Sequence, residues 1–413
     1  MKKKVLLSIF IILISFLQNS CGSKRISKKI IVASSGKIES LDPARANTLK
    51  AIQLISSLGD TLYELNSNGE LIPELASGMP IISKDRLQII INLRKNVFFH
   101  DGTSFNSNAI KFTFDRFKRI GTMNYILGNK IKSIETPSEY SVIINLNKPS
   151  SSLNGLLTSV NLTPISPTFY REYSDKFLNE KFVGTGKYVL SSFSNEVQLI
   201  DPNLNYWGEK PLNKGINFVG YSNSTSLFGA LKNRQIDVLL SNSIDDSQRN
   251  SLNKLSKNNK FKEGNSPFTE LSFISLRTSS YPLSNLNLRL ALAKSLNRNL
   301  ISEKVSYGLR KPSRSIIPPI LKKNNQVLWP KYDYLEARKL LQKENYCNGN
   351  ILKIPLTYRS NVPADKLIAL TLQEEIKNSL KDCIDIQLNG VESTTVYKNL
   401  SLGIYTAVIL DWT

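Results

Sequence analysis

Histidine occurs once in the 413-residue chain, at position 100, and cysteine three times, at 21, 347 and 383. One imidazole excludes a His-rich metal cluster and leaves a histidine-based catalytic dyad without a partner. Serine is plentiful, yet no Gly-x-Ser-x-Gly elbow is present. The glycine cluster Gly184-Thr185-Gly186 is followed neither by Gly-Lys-Ser/Thr nor by a dinucleotide pattern, which leaves a tight structural crossover. No catalytic set, metal or cofactor is therefore expected. Acidic residues are also scarce, 33 against 54 lysines and arginines, for a net charge of +21. The basic residues are spread through periodic segments, with no zinc-finger spacing or RNA-binding aromatic motif. The excess reads as a lysine-rich solvated surface, and no nucleic-acid partner is expected.

Long apolar runs are equally rare. Lys2, Lys3 and Lys4 precede the apolar stretch Val5 to Leu17, and nothing later reaches the length of a membrane span. A charged start and a short apolar core make residues 1–20 an export signal. Cys21, directly after Ser20, resembles a lipoprotein cleavage site, so its lipidation would anchor the chain to a membrane through a tether of residues 21–29. In the oxidising compartment this implies, Cys347 and Cys383 remain as a pair. Each stands near the start of an expected strand, and the two strands flank one helix. Parallel neighbours could bring them within bonding reach, and two inert buried thiols are the alternative.

The stretch Leu65 to Arg119 organises the rest. Asn68-Gly69 signals a turn. Asp85 to Arg94 alternates, with Leu87, Ile89, Ile91 and Leu93 on one face, as in a half-buried strand. Val97 to His100 reads as a second short strand ending in the Asp101-Gly102 turn. From Asn106 the period becomes helical, with Ile110, Phe114 and Phe117 on one face and Asn106 or Ser107 as the cap.

The same stretch resembles family 5 of the periplasmic solute-binding proteins, the receptors for peptides, nickel and related solutes that feed ABC importers. The resemblance rests on Leu71 to Ala76, Leu93-Arg94-Lys95, Val97 to Gly102 and the following helix. Further segments resemble the family in its order: Leu41-Asp42-Pro43, Phe182 to Leu190, Asn203 to Pro211 with Tyr206-Trp207-Gly208, Asn287 to Arg298 and Tyr332 to Leu341. It implies a mixed α/β, type II periplasmic-binding-protein fold of two lobes with an extra small domain. Domain I would comprise 30–65 and 182–261, domain II 66–181, and domain III 262–413.

The resemblance also implies a function: capture of a peptide or similar small solute and delivery to a permease and ATPase complex, on the outer side of the inner membrane. A scaffold or sensor with the same fold, or a nickel-chelate receptor, is the alternative. Ligand contacts are expected at Asn47 and Thr48, at Phe268 and Leu271, at Tyr358 and Arg359, and at Trp412. Arg359 ends a strand, where its donor fork could meet a peptide carboxylate or else face solvent in a turn. In the family a tryptophan like Trp412 is followed by an acidic segment bordering the ligand. Here Thr413 follows it, so the third domain is expected to be C-terminally incomplete, with its sheet partly uncovered.

Overall fold

The computed structural model describes residues 29–46, 48–127, 130–240, 243–257, 261–264, 270–317, 329–360, 362–400 and 402–412. Cys21, the signal, nearly all of the tether, Asn47 and Phe268 lie outside the described residues. The fifteen strands named here are β1 (Ile30–Ser35), β2 (Tyr63–Leu65), β3 (Leu71–Pro73), β4 (Ile81–Ile82), β5 (Gln88–Asn92), β6 (Ile131–Ser138), β7 (Ser141–Leu146) and β8 (Tyr188–Phe193). They continue with β9 (Val197–Pro202), β10 (Ile216–Tyr221), β11 (Val238–Leu239), β12 (Leu271–Leu276), β13 (Leu352–Arg359), β14 (Ile384–Val391) and β15 (Ala407–Trp412). The chain divides into two compact units, one built from 1–64 and 71–240, the other from 65–70 and 241–413.

In the first unit the alternation of the 85–94 segment becomes β5, where Ile89 and Ile91 are buried and Gln88 and Asn92 exposed. β5 lies between β4 and β7 in the antiparallel sheet β4-β5-β7-β6. The helix Ser107–Ile120 follows. Asn106 caps it by accepting from the Asn108 N–H, and Ala109, Ile110, Phe114 and Phe117 are buried. It stops at Gly121, where a Cβ would sit 2.5 Å from the Phe117 carbonyl oxygen. These residues and the inner face of the sheet form one core, with Leu62, Leu75, Phe99 and Phe105.

The expected strand Val97 to His100 does not form; only a single bridge links Phe98 and Ser104. Around the Asp101-Gly102 reversal the pairing is limited to the Phe99 N–H donating to the Thr103 carbonyl and the Phe105 N–H to the Val97 carbonyl. Gly102 N–H donates to the Phe99 carbonyl, and the Asp101 carboxylate accepts from the backbone N–H and hydroxyl of Thr103. The His100 N–H turns away to Gly184.

A second sheet, β11-β1-β10-β9-β8, has β1 parallel to both β10 and β11, with β9 antiparallel to β10 and to β8. The helix Leu49–Leu58 packs a second core through Leu54, Ile55 and Leu58, together with Leu41, Tyr170 and Ile200. Gly59, in extended backbone, ends it.

In the other unit the sheet order is β12-β15-β13-β14, with β13 parallel to β14 and β15 and β12 antiparallel to β15. The helix Pro363–Leu380 joins β13 to β14. Ala407 and Ile409 of β15 enter the main core, whereas Val408 and Leu410 join Val396 in a smaller cluster on the opposite face. Alternation thus buries both sides of that strand. The segment 287–298 lies mostly in the helix Leu286–Ser295, and a second helix, Arg298–Ser306, begins at its last residue. Asn297 intervenes because its side chain accepts from the Leu300 N–H and starts the second helix. A disulfide joins Cys347 and Cys383, whose Cα atoms are 4.0 Å apart. Cys383 directly precedes β14, while Cys347 sits in the turn leading to β13.

Candidate functional site

Parallel pairing of β13 and β15 points their carboxyl ends the same way, and antiparallel β12 begins at that edge. In open α/β sheets this edge is where ligands are met. Four residues singled out in the sequence come together there. Leu271 is the register partner of Trp412, and Ser272 that of Asp411; Tyr358 and Arg359 end β13 beside them. Tyr358 lies across Gly390 of β14, where a Cβ would come within 2.7 Å of its hydroxyl oxygen. Thr48 belongs to the other unit, where it caps the helix Leu49–Leu58 by accepting from the Ala51 N–H.

Arg359 faces neither solvent nor an open pocket; it is 5% exposed. Its Nε and Nη2 donate to the two oxygens of Asp365 at 2.7 and 3.1 Å. Its Nη1 donates to the Tyr397 hydroxyl at 2.8 Å and to Asp411. Burial opposes the charge, yet the bonds to Asp365 and Asp411 outweigh it and hold the guanidinium above its ordinary pKa. Nearby, Arg310 donates from Nε to Asp246 and from Nη1 to the hydroxyl of Ser272, both at 3.1 Å. The edge therefore offers polar groups on a rigid sheet, with its two arginines already paired.

The motif segments of the first unit meet elsewhere. Asp60 accepts from the Tyr206 hydroxyl at 3.1 Å and from Trp207 Nε1 and the Thr185 hydroxyl, both at 2.8 Å. Glu74 Oε2 accepts from the Thr61 N–H and hydroxyl at 2.8 and 2.9 Å. Burial raises the Asp60 carboxyl, and burial with the neighbouring Asp60 pushes Glu74 up to about 9. Gly186 gives its carbonyl to Asn203 Nδ2 at 3.0 Å and lies 3.2 Å from His100 Nε2. The Thr-Gly crossover, His100 and the Tyr-Trp-Gly segment are thus one structural clasp. Sequence reasoning passed over Asp60 and Glu74, which stand in no periodic pattern. Among the described residues, no group of three or more His, Cys, Asp or Glu could hold a metal ion.

Polar groups converge on the carboxyl edge of a sheet rich in parallel pairing, the place where folds of this kind meet a ligand. Residues 70–413 match bacterial extracellular solute-binding proteins, family 5 Middle, and the chain belongs to that family. It is similar to the glutathione-binding protein GsiB of Escherichia coli O6:K15:H31 (strain 536 / UPEC), 25% identical over 360 residues, covering 86% of this chain and 69% of GsiB. Its fold is similar to that of NikA from Brucella suis, solved in complex with Fe(III)-EDTA, with a TM-score of 0.82 and 21% identity over 93% of this chain and 79% of NikA. It is also similar to that of DppA from Helicobacter pylori, an ABC transporter-associated periplasmic binding protein solved with the peptide STSA. There the TM-score is 0.75, with 22% identity over 94% of this chain and 78% of DppA. The fold is that of the type II periplasmic binding proteins, and the protein is an extracellular solute-binding protein. No described helix is long and apolar enough to cross a membrane.

Proposed function

We propose that the solute is a short peptide or a chemically close small molecule, captured outside the inner membrane and passed to a permease driven by its ATPase. The observation that carries this reading is the 25% identity to a glutathione-binding receptor over 86% of the chain, glutathione being itself a small peptide. The carboxyl edge of the β12-β15-β13-β14 sheet supports it. β12, which begins at Leu271, is an edge strand of that sheet and suits an extended ligand. Asn47, Thr48 and Phe268 complete the proposed contacts. Lipid on Cys21 would hold the receptor at the membrane, and 30–65 with 182–261, 66–181 and 262–413 would act as its three domains.

Calorimetric titration of the purified protein with glutathione, di- and tripeptides and nickel–histidine tests the ligand class. Binding of at least one peptide at micromolar concentration is expected. Binding of nickel–histidine with no response to any peptide would overturn the reading in favour of chelate capture. Labelling with a radioactive fatty acid that is lost in Cys21→Ser tests the anchor; equal labelling of both proteins would remove it.

A further inference from the structure

We infer that Asp411 is a built-in carboxylate seated on the outer edge of the Arg359 fork, and that it sets this receptor against recognising a solute by a free carboxylate. The inference rests on the reading that the carboxyl edge of the β12-β15-β13-β14 sheet meets a small peptide. A guanidinium binds a carboxylate firmly when two adjacent N–H groups point at it together. Arg359 has two such faces. Nε and Nη2 form one, and Asp365 fills it with both oxygens at 2.7 and 3.1 Å. Nη1 and the remaining N–H of Nη2 form the other. There Nη1 is already committed to Asp411 and, at 2.8 Å, to the Tyr397 hydroxyl.

The two carboxylates differ in placement. Asp365 is 4% exposed at its side chain and belongs to the interior, whereas Asp411 is 28% exposed and stands between the guanidinium and water. Asp411 is thus the group that an arriving carboxylate would have to displace. One cation against two carboxylates leaves the triad with a net negative charge, which repels an anion. Arg310 offers no substitute, because it is paired with Asp246 and bonded to Ser272, the register partner of Asp411. A ligand end that is neutral or amino-bearing meets no such opposition.

Two measurements on the full chain test this. The first titrates wild type with trialanine and with trialanine amide. Affinities within about threefold are expected, and Asp411→Asn should shift the ratio at least tenfold toward the acid. A wild-type preference for the acid of tenfold or more, unchanged in Asp411→Asn, would overturn the inference. The second needs no peptide: the Arg359 Nε–H resonance is followed by NMR during titration with sodium acetate. Wild type should show no saturable shift; Asp411→Asn, or Asp411→Ser should the first variant fold poorly, should show one. Saturable acetate binding at Arg359 in wild type, or none in a folded variant, would sink the proposal. If neither trialanine compound binds while the acetate result holds, the peptide reading fails and the assignment of Asp411 stands.

Discussion

Arg116 grips Asp42 end-on, Nη1 to Oδ1 at 2.8 Å and Nη2 to Oδ2 at 2.5 Å, with both side chains sealed from water. The pair bridges 74 positions of sequence. Asp42 also accepts from the N–H groups of Ala44 and Leu178, and Arg116 donates to the carbonyls of Tyr173 and Lys176. Every charge in this knot is answered, so its removal leaves a buried ion rather than merely losing an attraction.

Asp42→Ala should therefore cost about 3–5 kcal/mol, the range for breaking a buried pair from one side. Urea unfolding followed by far-UV circular dichroism would show a lowered midpoint for the first unit. A midpoint within experimental scatter of wild type would mean that the knot contributes no net stability. Asp42→Asn should fall between the two, because it keeps the acceptor for Ala44 or Leu178 while losing the charge.

Glu74 gives the pH dependence a definite sign. Its carboxyl is raised by burial and by Asp60 from an ordinary 4.5 to about 9 in the folded chain. Between those values the native state holds a proton that the unfolded state has lost. Stability from this group is therefore complete below pH 4.5 and is lost as pH rises through 9. Asp60, raised in the same direction by burial, adds to the slope. Glu74→Gln retains an acceptor for Thr61 and removes the titration. The variant should outlast wild type at pH 8 by an amount on the order of a few kcal/mol and converge with it near pH 5. Parallel melting curves for the two proteins from pH 5 to 8 would contradict this.

Local pattern carried much of this architecture into view. The 85–94 alternation and the Ile110, Phe114, Phe117 stripe survive as a strand and a helix because their periodicity matches the core they enter. The sequence motifs likewise located the segments that converge at Asp60. What periodicity cannot carry is the partner of a charge. Arg116 and Asp42 are each unremarkable alone, and their meeting depends on the packing of a whole domain. Arg359 was legible as a chemically apt fork at a strand end, but not as a fork already occupied, since Asp411 arrives from 52 positions away. The end of the helix at Ser295 is not legible in periodicity, because Leu296 continues the apolar stripe and only the cap at Asn297 marks the start of the next helix.

Gly186 tests the clasp at its backbone. A Cβ there would come within 2.5 Å of the Gly59 nitrogen, with the Leu58 carbonyl oxygen 2.7 Å away, and neither can move like the end of a flexible side chain. Gly186→Ala should destabilise the first unit by about 1–3 kcal/mol through overpacking. Equal midpoints for wild type and variant would show that the crossover relaxes freely. Gly69→Ala, at a turn with open space but a φ of +77°, should cost only about 1 kcal/mol.

The disulfide is expected to act on the other unit alone. Cys347 and Cys383 lie 36 positions apart, and the loop they close contains β13 and the helix Pro363–Leu380. Closing a loop of that length in the unfolded chain stabilises the native state by about 3–4 kcal/mol. The bond also ties the turn before β13 to the residue before β14, where Leu352 N–H donates to the Cys383 carbonyl. In Cys347→Ser/Cys383→Ser, amide hydrogen exchange should accelerate across β13 and β14 by about two orders of magnitude or more. Exchange in β5 and β7, within the first unit, should stay as in wild type. Unchanged protection across β13 and β14 would show that the bridge does not limit opening there, and equal acceleration in β5 and β7 would show that its loss is felt by the whole chain.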